Sequence, residues 1–291
     1  MVENPTEVKK ATAYPFNARP DRAETDQKEV QALFDAKRTK NIAAGQKAYL
    51  TADYKPFTGF GREGMNKLFV IEVELDKASR QEIQKRVIQP MQKIAESLGI
   101  SEIYFAGGKD QDTHVTLHVG RFDNFTPEQQ EQARKWLAEG SEEEGRHKGQ
   151  HMSHLRQASD ILTGLEFQID TVVCSGRDTY ICAGKAEGNQ GAAYRVRRIF
   201  DKALERAQKK FSTTEGAKIG PHYPRYDDIF HISAARFTGI VEPDKLQSFA
   251  QRVNETIGTD LVERPINVRA ESVNPIIATK GVEKRKPELL T

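Results

Sequence analysis

The sequence predicts a bilobal, pseudo-duplicated α+β fold, with two mostly antiparallel sheets around a central cleft. Two observations carry that expectation. Runs with strand and helix character follow in the order β-α-β-β-α, an interruption, then β-β-α-β-α-β. Strands that succeed each other without an intervening helix favour antiparallel pairing. Each half also contains a helix, then a strand with a histidine two places before a hydroxyl residue, then a second helix.

Residues 1–65 are low in apolar content up to about Gln31 and end in the Gly-rich stretch FTGFGREGMN, so they read as an N-terminal extension, partly flexible, with a polar helix possible over Gln27–Ala44. The bilobal domain is expected over 66–280. It opens with Leu68–Leu75, LFVIEVEL, a β-branched and aromatic run. Ser79–Leu98 follows as an amphipathic helix: Ile83, Val87, Met91, Ile94 and Leu98 recur at spacings of three and four, and Gly99 is placed to end it. Ile103–Ala106 and Thr113–Val119 are strands. Thr126 is placed as an N-cap, with Pro127 at the first helical position.

The pattern breaks near 140–160, where an acidic run precedes RHKGQHMSH; an inserted loop or exposed helix is expected there. Leu165–Cys174 and Thr179–Lys185 form a hairpin, Gly191–Phe211 a helix with a basic face, and Thr213–Asp228 a loop. The second histidine strand, a helix over Glu242–Ile257 and a strand over Pro265–Ala278 complete the domain, and 281–291 form a flexible tail.

Composition limits the function. Lys and Arg total 44 against 42 acidic residues, a net charge of +2, which does not describe a general polyanion binder. No apolar run approaches the ~20 residues of a membrane span, and the N-terminus lacks the apolar core of a secretion signal. Two cysteines, Cys174 and Cys182, make no disulfide framework, and buried thiols are the reading preferred over a cross-hairpin contact. A cytoplasmic monomer is expected.

The chemistry-bearing stretches are DTHVTLHVGRF, Asp112–Phe122, and IFHISAARF, Ile229–Phe237. Alternate residues of a strand share a face. His114 therefore projects with Thr116, and His231 with Ser233. Two such pairs meeting in one cleft supply a general base, a general acid and two hydroxyl donors for an anionic group. That is the equipment for cleaving a phosphodiester without a metal. The tripeptide alone is cheap, since His151-Met152-Ser153 also fits it, but only the first two lie in strands and in corresponding halves.

In these motifs, THVTLHVGRF and FHISAARF, the chain resembles the 2H phosphoesterase superfamily, which includes RNA 2′,3′-cyclic phosphodiesterases also called 2′-5′ RNA ligases. The resemblance covers about Leu68 to Ala278. It implies that His114 and His231 are the acid–base pair, that Thr116 and Ser233 bind phosphate oxygens, and that Arg236 matches an arginine common in the cyclic phosphodiesterase branch. The implied partner is an RNA end or small nucleotide with a cyclic or 2′-linked phosphate; no cofactor is implied. A nucleotide- or RNA-end-binding module without turnover, and 2′-5′ end-joining, are the alternative readings.

Other residues have two readings each. His118 shares the parity of Thr116 and either contacts substrate or lines the cleft. Arg236 lies an odd number of positions from His231, so a bulge or the strand end must re-aim it. Tyr223, Arg225 and Tyr226 stand just ahead of the second motif, placed to stack on a base and meet phosphate, or to pack an ordinary Pro-rich connection. His147, His151 and His154 have the spacing of one helical face, but with no cysteine beside them a solvated loop is expected, and no metal site is assigned.

Overall fold

A computed structural model describes residues 47–57, 68–106, 113–139, 158, 160–164, 166–175, 178–183, 189–211, 216–221 and 231–277. Its strands are β1 (Leu68–Leu75), β2 (Ile103–Phe105), β3 (His114–Asp123), β4 (Glu166–Ser175), β5 (Asp178–Ala183), β6 (Lys218–Pro221), β7 (His231–Phe237) and β8 (Ile266–Ile277). They form one eight-stranded sheet in the order β2-β7-β5-β4-β8-β1-β3-β6, antiparallel at every recorded pair. The expected two sheets are thus continuous, because β8 belongs to both. Its residues 266–269 pair with β4 and its residues 270–277 with β1.

Helix α1 runs through Lys77–Ile83, a π-turn at Gln84–Ile88, and Gln89–Ser97. Asp76 caps it, accepting from the Ser79 amide at 2.7 Å. Ile83, Val87, Ile88, Met91, Ile94 and Ala95 form its buried stripe, and Gly99, at φ +63°, ends it as expected. Helix α2 is Pro127–Glu139. The Gln129 amide donates to Thr126 Oγ1, and Gln129 Oε1 accepts from the Thr126 amide, so two end donors are satisfied together. Helix α3 is Asn189–Phe211.

Helix α4 runs through Pro243–Val253, a π-turn at Asn254–Gly258, and Thr259–Glu263. It passes beyond the expected end at Ile257. Gly258 is helical at φ −60°, and a Cβ placed there would lie 3.4 Å from Val172 Cγ1 of β4. The glycine is an ordinary helical position in contact with the sheet rather than a stop. β6 is a second difference: Lys218–Pro221 lies in the expected loop and gains a ladder against residues 120–123.

The duplication is real in the topology but crossed in the chain. The lobe bearing β3 takes its edge strand, β6, and helix α3 from the second half. The lobe bearing β7 takes its edge strand, β2, and helix α1 from the first half. Arg86 of α1 joins Asp260 of α4 at 2.7 Å, and Arg252 of α4 reaches Ser97 at 3.0 Å, so these helices run antiparallel across the second lobe.

The core also reaches past the expected boundary at 66. Tyr49 is fully buried, its ring 5.5 Å from Phe237, and the Phe57 amide donates to the Phe237 carbonyl. Residues 47–57 therefore strap the end of β7. Of the segment near 140–160, Ala158 is buried in the core; the rest, Gln27–Ala44 and the tail at 281–291 lie outside the described residues, apart from 160. No helix among the described residues is long and apolar enough to cross a membrane.

Candidate active site

β7 and β3 are second and seventh in the strand order. Five inter-strand steps would separate them by about 24 Å in a flat sheet. Instead their Cα atoms come within 8 Å. The sheet curls on itself, and the two histidine strands become neighbours without hydrogen-bonding to each other.

On the first motif, His114 stands opposite Glu74 and Thr116 opposite Glu72, alternate positions of β1. Leu117 then has no partner, and His118 falls opposite Ile71. This bulge changes the parity, so the strand alternation that groups His118 with Thr116 is interrupted between them. His114 is 30% exposed, and its Nδ1 lies 3.2 Å from Oε2 of Glu72, whose side chain is 3% exposed. Glu72 was not singled out in the sequence. The signal was a carboxylate inside LFVIEVEL, which also reads as the solvated position of an edge strand.

The second motif has the burial alternation of a strand with one break. His231, Ser233 and Arg236 are half-buried, while Ile232, Ala234, Ala235 and Phe237 are buried. Ser233 pairs with Tyr180 and Ala235 with Thr179, leaving Ala234 as the extra residue. That bulge gives Arg236 the parity of His231 and Ser233. The Arg236 Nη2 group donates to Ser233 Oγ at 3.1 Å, and its Nε lies 3.3 Å from Asp178 Oδ1. Its guanidinium carbon sits 5.0 Å from the Phe57 ring centroid, in cation–π range. The hydroxyl of Ser233 thus accepts from Arg236 and keeps its own proton to donate.

Tyr223, Arg225 and Tyr226 lie outside the described residues. His147, His151 and His154 also lie outside the described residues. No group of three or more His, Cys, Asp or Glu side chains suited to a metal occurs among those described. Of the basic face of α3, Arg206 and Lys209 are exposed and Lys210 Nζ lies 6.0 Å from the Trp136 ring.

The cysteines are not paired across the hairpin. Cys174 stands opposite Thr179 and Cys182 opposite Thr171. Cys174 Sγ accepts from Thr179 Oγ1 at 3.8 Å, and burial pushes its thiol up to about 11. A cavity of about 290 Å³ beside Tyr49, Cys174, Gln247 and Asn254 includes neither histidine among its lining residues.

No protein-family model matches the chain, and no curated protein matches it. Among solved structures it is similar to Kluyveromyces marxianus Usb1 with uridine monophosphate, at 13% identity and TM-score 0.41, over 74% of this chain and 96% of that one. A second structure of Kluyveromyces marxianus Usb1 is similar at 12% identity and TM-score 0.43, over 74% and 95%. Overlap of that extent assigns neither a reaction nor a site.

Proposed function

We propose that the chain is a metal-independent phosphodiesterase that hydrolyses a cyclic or 2′-linked phosphodiester at an RNA end or in a small nucleotide. One observation carries the reading: two separate His-x-Thr/Ser strands lie side by side in a curled sheet, and a bulge adds Arg236 to the second. Water attacks phosphorus while one histidine takes its proton, and the other protonates the departing ribose oxygen. Thr116, Ser233 and Arg236 meet the non-bridging oxygens as their charge grows. Arg236 supplies a fixed positive charge, which a hydroxyl pair alone lacks.

The test is incubation of the purified full chain with adenosine 2′,3′-cyclic phosphate in EDTA, with products resolved by phosphorus NMR. A ring-opened monophosphate is expected at an undiminished rate. Intact substrate, bound but not consumed, would favour the binding-module reading. Activity lost to the chelator and restored by zinc would overturn the metal-free mechanism.

A further inference from the structure

A carboxylate withdrawn from water is unfavourable unless something compensates it. The Glu72 side chain is 3% exposed, and one group that faces it is His114 Nδ1, 3.2 Å from its Oε2. At that separation the two atoms form an ion-pair contact when the imidazole is protonated. An imidazole that donates from Nδ1 has its lone pair, or the second proton of the imidazolium, on Nε2. We infer that Glu72 is a positioning residue for His114: it accepts Nδ1–H, fixes the tautomer that presents Nε2, and by its charge favours the imidazolium. That Nε2 then serves proton transfer to or from a phosphodiester rests on the proposed function; which nitrogen is presented does not.

The elements packed against β3 carry other charged groups. Glu74 stands opposite His114 and is engaged by Arg80 at 3.4 Å. β7, alongside β3, brings His231 and Arg236, the latter paired with Asp178. β6 meets only the far end of β3, with Lys218 opposite Asp123. α3 packs on β3 with Ala203, Leu204 and Ala207 buried and Lys202, Glu205 and Arg206 exposed. None of these alters the local geometry, in which the Glu72 oxygen is at contact distance from Nδ1.

The experiment follows the His114 imidazole by nitrogen NMR across pH in the full chain, in the wild type, Glu72→Gln and Glu72→Asp. In the wild type, the neutral ring should carry its proton on Nδ1. Glu72→Gln keeps the shape and removes the charge, so the titration midpoint should fall by about one to three pH units; Glu72→Asp should stay near the wild type. On adenosine 2′,3′-cyclic phosphate, Glu72→Gln should lower kcat with little change in KM. An Nε2–H tautomer in the wild type, or an unmoved midpoint in Glu72→Gln, would overturn the inference, and the wild-type tautomer decides it even if the variants do not fold. A wild type that leaves the cyclic phosphate intact while the midpoint moves would instead sink the phosphodiesterase reading alone.

Discussion

Asp178, Ser233 and the face of Phe57 are among the groups that hold Arg236, and each uses a different property of the guanidinium. Lysine keeps the charge but loses the planar fork. Arg236→Lys should therefore fold and lose about ten- to a hundredfold in kcat/KM for a cyclic phosphate, the value of one charge-assisted hydrogen bond at about 1.5–3 kcal/mol. Ser233→Ala and Thr116→Val should each lose a comparable amount, read as kcat and KM separately. Wild-type kinetics in all three would remove the phosphate-binding role. At this scale the sequence was legible where chemistry and parity agree: His114 with Thr116, and His231 with Ser233. It was not legible for Glu72, because contact with His114 is a cross-strand diagonal that only pairing register defines.

Elements were legible where local signals are strong, as in the Gln129–Thr126 capping pair and the Gly99 stop. They failed where tertiary contact overrides the local signal. β6 hides in a Gly/Pro stretch because its ladder with β3 is long-range, and α4 runs through Gly258 because β4 lies against it. The two glycines make a matched test. Gly258 is helical, so Gly258→Ala should stabilise by about 0.5–1 kcal/mol in denaturant unfolding. Gly99 is left-handed with open space around its Cβ position, so Gly99→Ala should destabilise by about 1 kcal/mol. Destabilisation by Gly258→Ala would contradict the α4 assignment, and stabilisation by Gly99→Ala the left-handed stop. The bulges at Leu117 and Ala234 have no residue signature in either strand, yet they shift the backbone register there.

Across the whole molecule, the duplication was visible as element order, but the exchange of edge strands and helices between halves was not, since it depends on which lobe each helix packs against. The exchange links the lobes: neither histidine strand has its edge partner without the other half of the chain. Residues 47–57 add a strap that buries Tyr49 near Cys174 and Thr179. Burial raises the Cys174 thiol from 9.0 to about 11 and raises the Tyr49 phenol as well. Above pH 9 the unfolded chain releases the thiol proton while the folded chain retains it, so stability is present below that pH and is lost as pH rises toward 11. Cys174 should account for roughly 2–3 kcal/mol of that loss. Cys174→Ala should flatten the alkaline limb of a stability-versus-pH curve; an unchanged limb would place the titrating group elsewhere. The central claim, that the curled sheet joins two histidines from distant strands into one catalytic pair, is tested most directly by the rates of cyclic phosphate opening in His114→Ala, His231→Ala and the double variant. Each single variant should be about 10²–10⁴ slower than the wild type, and the double variant should lose less than the product of the two. Hydrolysis at the wild-type rate by either folded single variant would contradict it.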